Sequence, residues 1–121
     1  MDTDLQTFRE FRSRMNEKIL SSDNLGIKRF LNLDTATYRD GALAGRTKEL
    51  LGLVASMVLR CNDCIDYHLE QATKAGWKDE ELLEGMQVAL IVGGSIVIPH
   101  LRHAIATLEA LRLESTDQEA E

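Results

Sequence analysis

The chain has one proline, two cysteines and no excess of basic residues. Each shortage excludes something. With a single proline and little alternation of apolar and polar residues, the extended, turn-punctuated pattern of a β architecture is missing. Acidic residues number 20 against 14 basic ones, for a net charge of −6. The clustered Lys and Arg that a phosphate backbone requires are absent, so nucleic acid is not an expected partner. The longest apolar run, Met86 to Pro99, is broken by Gln87, Gly93, Gly94 and Ser95. It falls short of the roughly 20 apolar residues of a spanning helix, and the Met-Asp-Thr-Asp start lacks the basic and apolar regions of a secretory signal. The expectation is a soluble, cytoplasmic protein with no membrane partner.

What remains reads as helix throughout. A length of 121 residues, 44% of them hydrophobic, is enough for one domain with its own core. Leu5, Phe8, Met15 and Ile19 recur at helical intervals across residues 3–21. A shorter helix is predicted over residues 25–33, and Arg39-Asp40-Gly41 signals a turn. Residues 47–59 are apolar on nearly all sides, as in a helix buried within a bundle or between subunits. Gly76 is placed to stop the next helix in a left-handed conformation, with Trp77 as a packing anchor after it. Asp79, Glu80 and Glu81 start another helix, which ends near Gly93-Gly94. Gly93-Gly94-Ser95 reads as a tight helix junction, since no strand precedes it and no Lys-Ser/Thr follows, as a phosphate cradle would need. Leu101, Ile105, Leu108 and Leu111 form the stripe of a last helix, with Pro99 in its first turn or at a kink. Met57 and Met86 are expected core fillers. Residues 1–113 make the domain, whereas 114–121 carry four acids and no large apolar side chain, as in a disordered tail.

Both cysteines fall in Cys61-Asn62-Asp63-Cys64, and His68 follows four residues later. Without an export signal, two thiols at this spacing are suited to making and breaking a disulfide. On a helix, positions 61, 64 and 68 lie within about 60° of one another, so the sulfurs and the imidazole share one face. A thiol in a first helical turn gains from the unpaired N–H groups there, and an imidazole beside it can take its proton. Cys61 or Asn62 is the expected cap of that helix. A rival set is Cys61, Cys64, His100 and His103, which form C-x2-C and H-x2-H, and zinc accepts two thiolates and two imidazoles. The two-residue His spacing is tighter than usual, and this set leaves His68 without a role. The plainer reading puts His100 and His103 on a helix surface or a subunit contact. No metal or cofactor is called for.

With Glu49 twelve residues before Cys61, the pattern Glu-x11-Cys-x-x-Cys-x-x-x-His resembles the carboxymuconolactone decarboxylase and alkylhydroperoxidase D superfamily, in particular its small single-domain members. Residues 47–111 match its length and order of helices. The resemblance implies an all-α bundle with an antiparallel helical hairpin carrying the cysteines, assembly as homotrimer or homohexamer, and a thiol-dependent peroxidase or disulfide reductase. Carried over by position, Cys64 is the attacking thiol, Cys61 the resolving thiol, and Glu49 with His68 the proton relay. The substrate would be a hydroperoxide or a partner disulfide, and the electron donor a thiol reductant. The decarboxylase branch lacks the cysteine pair. One departure stands out: Asp63 occupies the place of a family histidine, and a carboxylate beside a thiol opposes thiolate formation.

In one straight helix Glu49 would lie about 18 Å from Cys61, so a bend near residues 59–62 is required to bring it to His68. The alternatives to an enzyme are a redox-sensing oligomer and a zinc-stabilised bundle. Residues 47–59 and 86–98 have more apolar faces than a chain this short readily covers, which independently favours a homo-oligomer.

Overall fold

The computed structural model describes residues 4–120, with side chains through Thr116. Among them are six α-helices and no strand, as the fold class requires: α1 Asp4–Leu20, α2 Leu25–Thr37, α3 Gly45–Val58, α4 Asn62–Lys74, α5 Asp79–Gly93 and α6 Ile98–Ala120. A single 3-10 turn, Ser95–Val97, joins the last two, and Pro99 sits in the first turn of α6.

α3 packs on both α4 and α5, and α6 closes the other side of α4. The core is drawn from these four helices: Leu53 and Met57, Ile65 and Leu69, Leu82 and Met86, and Ala104, Leu108 and Leu111, with Leu5 of α1 added. Each large side chain removed from water here contributes about 1.5–3 kcal/mol. α4 therefore sits at the centre of the bundle, which restrains the cysteine segment at its N-terminus.

α3 and α4 end in the same way. At the end of α4, Gly76 N–H bonds Thr73 O at 3.1 Å and Trp77 N–H bonds Ala72 O at 3.2 Å, with Gly76 at φ 96°. At the end of α3, Arg60 N–H bonds Met57 O and Cys61 N–H bonds Ser56 O, both at 3.0 Å, with Arg60 at φ 61°. This paired closure needs a left-handed residue, and glycine is the usual one. The chain takes it with an arginine at the bend expected near residues 59–62.

Two boundaries differ from the sequence reading. α2 continues past Leu33 to Thr37 because no breaker intervenes, and the Thr35 and Thr37 hydroxyls donate back to the Leu31 and Leu33 carbonyls. α5 begins at Asp79 and ends at Gly93 as expected, behind an N-cap Lys78 whose N–H donates to Glu81 Oε1 at 2.9 Å. α6 runs on through Ala120, and Glu114, at the start of the expected tail, accepts two bonds from Arg9 of α1 at 2.7 and 2.8 Å. The Asp117, Glu119 and Glu121 side chains lie outside the described residues. Trp77 does anchor the link after α4: its Nε1–H donates to Arg46 O at 2.7 Å, and the Arg46 guanidinium lies 3.9 Å over its ring.

Candidate functional site

Cys61 belongs to two helices. Its N–H closes α3, while its carbonyl accepts from Ile65 N–H at 2.9 Å and its Sγ accepts from Cys64 N–H at 3.3 Å, so it is the N-cap of α4. The two sulfurs are bonded to each other across a Cα–Cα distance of 5.3 Å. The disulfide thus occupies the first turn of α4, with Cys64 exposed and Cys61 half-buried. Asp63, exposed in the same turn, is turned toward solvent, where an acidic residue complements the helix N-terminus.

The hairpin brings Glu49 back to His68. Glu49 Oε2 lies 2.9 Å from His68 Nδ1, and both side chains are 13% exposed. A carboxylate only accepts, so Nδ1–H donates and Nε2 is left as the acceptor nitrogen. The Tyr38 hydroxyl lies 3.4 Å from Nε2, and the Tyr38 and Tyr67 rings each have centroids 5.2 Å from the imidazole. Burial first, then the carboxylates of Asp34 and Glu49, push the Tyr38 phenol above its ordinary range, so it stays a neutral O–H donor at physiological pH. Gly52 forms the floor: a Cβ there would come within 2.8 Å of the imidazole ring. No side chain larger than hydrogen fits beneath His68.

Cys64 and His68 border one recess of about 350 Å3. Phe8, Phe11 and Met15 of α1 give it an apolar wall, and Arg12, Asn16, Asp34 and Asp63 add polar groups to it. The Arg12 guanidinium lies 4.0 Å over the Tyr67 ring. A groove of about 450 Å3 between α5 and α6 is larger but has neither a thiol nor an imidazole in its lining. The smaller recess is therefore the candidate site.

The other two histidines are bonded away from the sulfurs. His103 Nε2–H donates to Asp66 Oδ1 at 2.7 Å, the Thr107 hydroxyl donates to the same oxygen at 2.7 Å, and His100 Nδ1 pairs with Asn62 Oδ1 at 2.8 Å. These bonds fasten α6 along a face of α4 different from the cysteine face, with both imidazoles half-buried. They also separate the rival zinc set, and among the described residues no group of three or more His, Cys, Asp or Glu could hold a metal ion. Tyr38, Gly52, Tyr67 and Asp66 were not singled out from sequence. Tyr38 reaches the imidazole across 30 residues of chain, Gly52 lies one turn from Glu49, Tyr67 adjoins His68 in sequence, and Asp66 serves the contact with α6.

A bonded Cys-x-x-Cys in the first turn of the central helix of such a bundle supports a role in thiol redox chemistry. Residues 27–107 match the carboxymuconolactone decarboxylase family. The chain belongs to that family. It is 55% identical to a family protein of Thermotoga maritima for which a part in the antioxidative response has been suggested; the two structures share a TM-score of 0.89 over 93% of this chain and 96% of the other. A family protein of Legionella pneumophila, 24% identical, has the same fold at a TM-score of 0.83 over 91% and 98% of the two chains. An uncharacterized protein of the cox locus of Paracoccus denitrificans is 32% identical over 68% of this chain and 74% of its own length. The family and the bonded pair together support a redox role.

Proposed function

We propose that the protein is a thiol-dependent oxidoreductase that reduces hydroperoxides, or the disulfide of a partner, through Cys64 and Cys61. The observation that carries this reading is the exposed disulfide on the same recess as a histidine held by a glutamate. In the reduced protein Cys64 loses its proton and attacks the outer oxygen of a hydroperoxide. The O–O bond breaks, the alcohol leaves with a proton, and Cys64 becomes a sulfenic acid. The Cys61 thiol then attacks that sulfur, water leaves, and the disulfide forms. An external dithiol restores both thiols and is itself oxidised to a disulfide. Glu49 and His68 move the protons in these steps. The antioxidative role suggested for the Thermotoga relative favours the peroxide as oxidant.

Assembly as a homotrimer or homohexamer belongs to the same proposal, supported by the apolar surface of α2 and α5. Cytoplasmic placement does too, since a reducing compartment would supply the dithiol; no helix among the described residues is long and apolar enough to cross a membrane.

The test is peroxide consumption coupled to a dithiol reductant. Cys64→Ser is expected to abolish turnover, while Cys61→Ser leaves Cys64 trapped as a sulfenic acid or mixed disulfide. Trapping on Cys61 in place of Cys64 would reverse the roles, and full turnover by both variants would dismiss the reading.

A further inference from the structure

His68 has two ring nitrogens and both are engaged, Nδ1 with Glu49 and Nε2 with Tyr38. Among the described residues neither sulfur is hydrogen-bonded to the ring. A proton arriving from the recess can land only on Nε2, because Nδ1 already carries one against Glu49. The group that faces Nε2 therefore controls that arrival. A distance of 3.4 Å is long for an O–H···N bond, so this contact can open where the 2.9 Å one to Glu49 would resist.

The placement of Tyr38 is secured from α3. Lys48 Nζ donates to Thr37 O and to Arg39 O, each at 2.8 Å, so one ammonium grips the carbonyls on either side of Tyr38. Asp40 Oδ1 accepts from Gly45 N–H at 2.7 Å and closes the same loop. No residue of α2 is fully buried, and this clamp fixes the backbone on both sides of the phenol.

We propose that Tyr38 is a positioning residue for the Glu49–His68 couple: its hydroxyl holds Nε2 so that the imidazole presents a single tautomer toward the recess that Cys64 borders. The role rests on the redox reading above. While the ring is neutral the phenol donates to Nε2. Once a thiol proton has moved to Nε2, leaving a thiolate, the phenol oxygen accepts from the new N–H. No bond to carbon or sulfur changes, and the hydroxyl only turns from donor to acceptor. Glu49 already favours the proton on Nδ1; the phenol deepens that preference, and without it a larger fraction of molecules would present N–H to the thiol where an acceptor is needed.

The experiment uses the full chain with both thiols reduced and 15N-labelled histidine, His68 being assigned by loss of its signals in His68→Gln. In the native protein the ring is expected as one tautomer, protonated on Nδ1. Tyr38→Phe keeps the aromatic ring and removes only the hydroxyl. It is expected to give a mixture of tautomers and to slow alkylation of Cys64 by iodoacetamide about threefold to tenfold, the worth of one neutral hydrogen bond. Lys48→Met keeps the phenol but frees its flanking carbonyls, and should give a smaller shift in the same direction. The rate is followed against pH, because Arg12 of α1, Asp34 of α2, Tyr38 just after α2, Glu49 of α3, and Asp63 and Tyr67 of α4 all face this region. Native tautomer signals in both variants would overturn the proposal, as would slower alkylation with an unchanged imidazole spectrum, which would indicate a loosened fold. The tautomer signals need no turnover, so they stand or fall separately from peroxide consumption.

Discussion

The four residues read from sequence as the site divide into two pairs with different physical supports. Cys61 and Cys64 are held by backbone: one closes α3 and caps α4, and the other donates its N–H to the first one's sulfur. Glu49 and His68 are held by each other and by what surrounds the imidazole. Replacing Glu49 by glutamine preserves the volume and an acceptor for Nδ1–H but removes the charge that would steady a protonated ring. Glu49→Gln is thus expected to lower turnover by about tenfold or more, a modest share of what a positioned acid–base group contributes, with little change in melting temperature. A native rate would remove Glu49 from the relay; a collapsed melting temperature would make it structural. The candidate pairs were legible because Glu49, Cys61, Cys64 and His68 follow a fixed spacing. Tyr38 was not, since 30 residues separate it from His68. Gly52 carried a readable hint, a glycine in the middle of an apolar helix, but its reason is the ring above it.

Among the elements, the hairpin of α3 and α4 controls the site, and its turn contains the one left-handed residue that is not glycine among those described. Arg60 bears a conformational cost of about 1–2 kcal/mol that glycine would not, partly offset by the freedom glycine regains on unfolding. Arg60→Gly is therefore expected to raise stability by up to about 1 kcal/mol, seen as a higher urea midpoint at unchanged slope. A lower midpoint would mean that the arginine side chain itself holds the turn. A second element-level contact joins α1 to the bundle: Arg9 bonds Glu114 of α6 and also Glu70 of α4. The bond from Arg9 holds the Glu114 carboxyl below the ordinary range, with partial burial opposing it. A carboxyl lowered on folding stabilises above its unfolded value, about 4.3, and that contribution is lost as pH falls through the folded value. Glu114→Gln should thus lower stability at neutral pH and flatten its decline below about pH 5; because Glu114 is partly exposed, the effect is small. An unchanged acid limb in thermal melts would show the pair to contribute nothing. Helix order, the stop at Gly76 and the junction at Gly94 were all legible from residue types with strong local preferences. The extension of α2 to Thr37 follows from the lack of a breaker after Leu33, whereas that of α6 was not legible, because the bond that holds Glu114 comes from Arg9, 105 residues earlier.

At the scale of the molecule, the four-helix core is complete but the surface is not. Phe30 and Leu33 of α2 are 69% and 65% exposed, and Ile91 and Val92 of α5 are 79% and 70% exposed. A helix that buries nothing and exposes Leu25, Ile27, Phe30 and Leu33 has no reason within one chain to remain folded against water. Light scattering at low micromolar concentration is accordingly expected to give a mass several times 13.6 kDa. A clean monomer would mean that α2 and α5 carry these side chains without a partner copy. The apolar excess was visible in the sequence, though residues 25–33 add a surface that the reading of residues 47–59 and 86–98 had not included. The claim on which the rest depends is that Cys61 and Cys64 pass between thiols and a disulfide in the folded protein. Intact mass after thiol reduction, after mild peroxide and after renewed thiol tests it most directly. The account predicts a loss of two hydrogens with peroxide, recovered with thiol and absent in Cys64→Ser. Two thiols that still label fully after peroxide, in protein that remains folded, would contradict it.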